Sequence, residues 1–206
     1  MNDKGYTEAI RDRIQEFGAL NPFSRSDFDD LAPVESVRTI LNILVESGEI
    51  KRLIRGLFYL PKTSRITGDE LEPSLHDTAL ALARNYNWRI TPSGNMALNQ
   101  LRLSTQVPMK AVYISDGPYR IYEVGSRSIE FKHRAPKDVR NISATSSLVI
   151  QALKAIGKDK VTSTDRATIR KALTTEQRQD LLKEGKGATS WVYETIKRIS
   201  EGENDE

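Results

Sequence analysis

The sequence contains no cysteine and only two histidines, His76 and His133. The first absence excludes disulfides and thiolate metal sites, and it fits a reducing compartment, the cytoplasm. The second leaves a serine nucleophile without a base, and no G-x-S-x-G elbow is present. Neither histidine has a ligand-spaced companion, so both read as structural. Long apolar runs are missing too. Nothing approaches the ~20 residues that a membrane helix needs, and the start MNDKGYTEAIRDRI carries no secretory stretch, so no leader is expected. Gly185-Lys-Gly-Ala-Thr-Ser190 gathers glycines, a lysine and hydroxyls, but not at phosphate-loop spacing and with no strand before it. It reads as a helix cap. Asp69, Glu70 and Glu72 lie in a polar stretch and read as a solvated run. No enzyme, cofactor or metal is expected.

With 206 residues the chain can form one large domain or two modest ones. Its net charge of +3 is only mildly basic, so distribution is more informative than the sum. From Ile50 to Arg65 the chain carries Lys51, Arg52, Arg55, Lys62 and Arg65 and no acid, whereas Asp27, Asp29, Asp30 and Glu35 cluster before it. Tyr6, Ala9, Ile10, Ile14 and Phe17 recur at helical spacing and predict a helix over 4–17, ended by Gly18. Ser24 and Asp27 have capping-box spacing ahead of a short helix carrying Phe28 and Leu31. A third helix is expected from Pro33, with Val37, Ile40, Leu41 and Leu44 as its stripe and Gly48 past its end. Ile50–Ile54 and Leu57–Leu60 read as strands around Arg55-Gly56, closed by Pro61.

Three helices followed by a hairpin is the order of a winged helix-turn-helix, whose third helix enters the DNA major groove. The exposed face of that helix offers Glu35, Ser36, Arg38, Thr39 and Asn42. Arg38 suits guanine or phosphate and Asn42 suits adenine. Lys51, Arg52 and Arg55 occupy the wing, where cations meet phosphate or a narrow minor groove. With Ser24 and Arg25 at the second helix, these form the candidate DNA-binding set. Glu35 and Glu46 oppose a polyanion, and the same hydrophobic pattern also suits a protein-interaction module that never touches DNA.

Residues 63–73 read as a linker. Beyond it come a helix over 74–86, a strand at Trp88–Ile90 and a helix over 93–101. Strands follow at Ala111–Ser115, Arg120–Val124 and Ser128–His133. Helices are expected at Ser146–Ala155, Asp165–Leu173 and Ser190–Ser200, with a short one at Thr175–Leu182. In the last strand Ile129, Phe131 and His133 share one face and Glu130, Lys132 and Arg134 the other. The basic side, joined by Lys137 and Arg140, suits a nucleic-acid surface, an acidic partner or an exposed strand face equally. Trp88 and Trp191 read as core. The expected fold class is therefore α+β. It comprises an N-terminal winged helix-turn-helix (1–62), then a mixed α/β domain (74–206) with a small sheet and C-terminal helices.

Val37-Arg38, Gly48-Glu49-Ile50, Arg52, Arg55-Gly56-Leu57-Phe58-Tyr59 and Pro61 form one block. Thr91-Pro-Ser-Gly94, Ala97-Leu98, Leu101 and Leu103-Ser-Thr-Gln-Val-Pro108 form a second. Together, over about residues 4–135, they resemble the AbiEi-like antitoxins of bacterial type IV toxin–antitoxin and phage-defence systems. The chain departs from that pattern at Arg102, where the family has glycine, at Phe58, where it has tyrosine, and at Asn42, where a basic residue or serine is common. The resemblance implies a cytoplasmic repressor that binds inverted repeats in the double-stranded DNA of its own promoter. It also implies a nucleotidyltransferase-like toxin encoded nearby. The alternative is a module that docks such a toxin without binding DNA.

Overall fold

The computed structural model of the chain describes residues 3–106, 108–134 and 142–202. The protein is mixed α+β. It divides into two compact units, Met1–Trp88 with Glu123–Arg127, and Arg89–Tyr122 with Ser128–Glu206.

In the first unit, α1 (Asp3–Phe17) buries Ile10 and Ile14 one turn apart and leaves Arg11, Asp12, Gln15 and Glu16 in water. After Gly18, at φ +77, the chain forms β1 (Phe23–Ser24) and one 3-10 turn, Arg25–Phe28. A helix reaching Leu31 was expected there. The Asp27 carboxylate does accept from the Ser24 N–H at 2.7 Å, but this box closes a single turn. Pro33, with ψ 146, caps α2 (Val34–Glu46) rather than opening it, so that helix starts one residue later than predicted. Val37, Ile40, Leu41 and Leu44 form its buried stripe. Strands β2 (Lys51–Ile54) and β3 (Leu57–Tyr59) form an antiparallel sheet with β1 in the order β1-β3-β2, with Phe23 opposite Phe58. Phe17, Phe23 and Phe28 cluster at ring separations of 5.6–6.3 Å. Full burial of each such ring contributes about 1.5–3 kcal/mol.

The stretch expected to be a linker instead holds a small hairpin, β4 (Lys62–Thr63) paired with β5 (Glu70–Leu71). Next comes α3 (Leu75–Asn85), whose N-cap Ser74 accepts from Asp77 N–H at 3.0 Å. Its last turn is tied to the start of the unit. Arg84 Nε donates to Asp27 Oδ1 at 2.6 Å and Arg84 Nη2 to the Pro22 carbonyl at 3.1 Å. The division between units therefore falls after Trp88, not within 63–73.

The strands β6 (Ile90–Ser93), β7 (Lys110–Ser115), β8 (Arg120–Val124) and β9 (Arg127–His133) form a sheet in the order β6-β7-β9-β8, which belongs to the second unit except for Glu123, Val124 and Arg127. β7 runs parallel to β9 and antiparallel to β6. The helices are α4 (Asn95–Gln100), α5 (Ala144–Ile156), α6 (Ser163–Ala172), α7 (Thr175–Glu184) and α8 (Ser190–Glu201). Capping boxes Thr162/Asp165 and Thr174/Gln177 start α6 and α7. Val149, Leu153, Ile169, Leu181, Val192 and Ile196 meet in a core against Ala97 and Leu101, with Trp191 packed at its margin. In the second resembling block the apolar positions Leu98, Leu101 and Leu103 join this core. Asn99 Nδ2 donates to the Ser104 and Gln106 carbonyls, folding the loop back, and Val107 lies outside the described residues.

Candidate nucleic-acid interface

Four arginines converge on one groove of the first unit. The groove has a volume of about 510 Å³ and is lined by Arg25, Arg38, Arg52, Arg55, Asn42 and Asn85 over Leu41, Gly56 and Phe58. Each comes from a different piece of local structure. Arg25 opens the 3-10 turn and pairs with Asp29 one turn on. Arg38 and Asn42 lie one turn apart on α2, and Arg38 is 3.2 Å from Glu35. That pair is exposed on both sides, which limits its worth to under about 1 kcal/mol. Arg52, on β2, has its guanidinium 5.1 Å from the centre of the Phe58 ring and donates to Asn42 Oδ1 at 3.2 Å. Arg55 sits at the β2–β3 turn beside Gly56, whose φ of +87 favours glycine, and it makes no ion pair or hydrogen bond among the described residues. Asn85 ends α3 and accepts from Ser26 Oγ at 2.9 Å.

No carboxylate is among the described residues that line the groove. Of the acids that precede it in sequence, Asp29 and Glu35 pair with the groove's own Arg25 and Arg38, and the others are engaged by cations outside it. Asp30 accepts from Arg13 at 2.9 Å, which holds its carboxyl below the ordinary range. Asp27 is taken by Arg84. Glu49, past the end of α2, accepts two bonds from Arg11 at 2.7 and 2.8 Å and is likewise depressed. The concave cationic surface therefore favours a polyanion.

Five of the nine residues picked from sequence meet here: Arg25, Arg38, Asn42, Arg52 and Arg55. Ser24 does not. It is 1% exposed, and its hydroxyl lies 3.1 Å from the Asp27 carboxylate and 2.8 Å from Ser26 Oγ, so the cap that made it legible also hides it. Ser36 is half-buried and Thr39 exposed, and neither lines the groove. Lys51 is exposed but ion-paired to Glu70 on β5, and that hydrogen bond raises the ammonium above its usual range. Asn85 joins the five from the end of α3, 59 residues from its partner Ser26, and no local motif marks it. In the second unit Glu130 is not the exposed strand residue its register suggested. It is 6% exposed, accepts from Lys110 and from the Tyr119 hydroxyl, and is held below the usual carboxylate range first by the Lys110 bond. Lys132 and Arg134 are exposed, while Lys137 and Arg140 lie outside the described residues.

Among the described residues no group of three or more His, Cys, Asp or Glu could hold a metal ion, and no helix is long and apolar enough to cross a membrane. Fold and groove together define a mixed α+β protein with an arginine-lined cleft in its N-terminal unit. The chain belongs to DUF6088, a family of unknown function, whose model matches residues 9–181. No curated protein matches it.

Proposed function

We propose that the protein is a DNA-binding transcriptional repressor, acting in the cytoplasm as the antitoxin of an AbiE-like type IV toxin–antitoxin and phage-defence system. It binds inverted repeats in its own promoter, and a nucleotidyltransferase-like toxin is encoded nearby. The observation that carries the reading is the groove of four guanidiniums, with no carboxylate among the described residues that line it. The element order α1, 3-10 turn, α2, β2–β3 hairpin, with β1 completing a three-stranded sheet, supports reading the unit as a winged helix-turn-helix. The two sequence blocks support the antitoxin assignment.

In a gel-shift assay on the DNA upstream of its gene, Arg38→Ala and Arg55→Ala each weaken binding about tenfold, since a charged hydrogen bond is worth about 1.5–3 kcal/mol. Unchanged binding in both variants sinks the assignment. A second reading, a module that docks the toxin without touching DNA, is favoured by Glu35, Glu46 and the half-exposed Ile43 on the solvent side of α2. Co-purification with the neighbouring gene product, together with no salt-sensitive DNA binding, would select it.

A further inference from the structure

We propose that the cavity between α6 and the last turn of α8, in the second unit, binds a compact oligophosphate such as the triphosphate of a nucleotide. No residue of the arginine cleft takes part, so the inference does not rest on the DNA-binding reading. Ile169 of α6 and Ile199 of α8 are both buried in the core of the second unit, which brings the two helices together. Arg166 and Arg170 lie one turn apart on α6 and so share a face. With Arg198 of α8 they line a cavity of about 400 Å³, completed by Ser163, Thr164 and Gly202. That volume is in the range of small-molecule sites, and no carboxylate is among the described residues that line it.

The cations keep donors for a ligand. Arg170 is held in place by its Nη1, which donates to the Ile199 and Ser200 carbonyls at 2.6 and 2.7 Å. Its Nη2 lies 3.4 Å from where a Gly202 Cβ would stand, and neither Nη2 nor Nε has an acceptor among the described residues. Arg198 is exposed, and its side chain makes no hydrogen bond or ion pair among those residues. The lysines of α7 and α8 differ, since Lys183 pairs with Asp180 and Lys197 with Glu194 within a turn. Three guanidiniums around one cavity repel one another, and an anion of more than one charge offsets this. Their forks bond phosphate oxygens in pairs. A duplex is the poorer match. Asp165 and Glu201 adjoin Arg166 and Gly202 in the sequence, so a long run of phosphates would pass carboxylates that a compact ligand avoids.

The test is isothermal titration calorimetry of the full chain with sodium triphosphate and with ATP. Saturable binding is expected for both, weakened about tenfold or more in Arg198→Glu. Arg198→Gln, which removes the charge without reversing it, serves if the reversal lowers the urea midpoint. Equal affinities assign recognition to the phosphates alone, and tighter binding of ATP assigns the nucleotide; either supports the site. Binding that Arg38→Ala abolishes and Arg198→Glu leaves unchanged lies in the first unit's cleft and overturns the proposal. Binding seen only in a chain ended at Gly202, without Glu203, Asp205 and Glu206, gives the cavity to the chain's own acidic end and also overturns it. So does an absence of saturable binding up to about 10 mM ligand.

Discussion

Arg52 and Arg55 are three residues apart and equally cationic, yet their surroundings give them different work. Arg52 is stacked on Phe58 and bonded to Asn42, so its fork geometry is fixed before any ligand arrives. Arg55 stands at the turn without a partner among the described residues. Loss of Arg55 should therefore weaken binding alike for all sequences and lower the log–log salt slope by about 0.9, measured by anisotropy across a KCl series. Loss of Arg52 should change which sequences bind. Arg102 carries a separate consequence. It lies at φ +57, a left-handed conformation that costs a side-chain-bearing residue about 1–2 kcal/mol, and it stands where the resembling pattern has glycine. Arg102→Gly should raise stability by about 0.5–1 kcal/mol once the greater freedom of glycine in the unfolded chain is deducted. The reading is a higher urea midpoint at unchanged m.

At the scale of elements, the clamp between α3 and the 3-10 turn decides what the first unit contains. Asp27 accepts from the Ser24 N–H and from two nitrogens of Arg84, while Arg84 also lies 5.4 Å from the centre of the Phe17 ring. Asp27→Ala removes a cap and a charge-assisted pair together, and should cost about 2–3 kcal/mol in chemical denaturation. It should also weaken DNA binding by loosening Ser26 and Asn85. Helices such as α2 were legible in the sequence because of an apolar stripe at 3.6-residue spacing, formed there by Val37, Ile40, Leu41 and Leu44. The hairpin around Arg55-Gly56 was legible from its turn residues. Strands of two residues such as β1, β4 and β5 have no period to detect, and this is why 63–73 read as a linker. The groove follows the same division. Arg38, Asn42, Arg52 and Arg55 lie on elements adjacent in sequence, so their meeting could be foreseen. Asn85 is 59 residues from the Ser26 hydroxyl it accepts from, and Lys51 is 19 from the Glu70 that engages it. No local pattern encodes either partnership.

For the molecule as a whole, acid should act on both units through paired carboxylates. Asp30 and Glu49 in the first unit are held low mainly by hydrogen bonds from Arg13 and Arg11, and Glu130 in the second by the bond from Lys110. Their folded pKa values lie below the unfolded ones. The stability they contribute is therefore complete above the ordinary carboxylate range and is lost as pH falls through the folded values. A thermal midpoint followed by circular dichroism should begin to slip below about pH 6.5, because burial lowers the His76 imidazole and the unfolded chain takes up that proton first, and should fall further below about pH 4. Glu130→Gln should make that fall shallower. The chain also crosses between its units more than once, since Glu123–Arg127 belongs with Met1–Trp88 and the residues on either side do not. The order of synthesis then matters. Residues Met1–Trp88 emerge first, but the unit is complete only after some 40 further residues, a delay of roughly 2–8 s at 5–20 residues per second. During that interval the first unit waits for a segment still being made, and no single cut of the chain separates the two units.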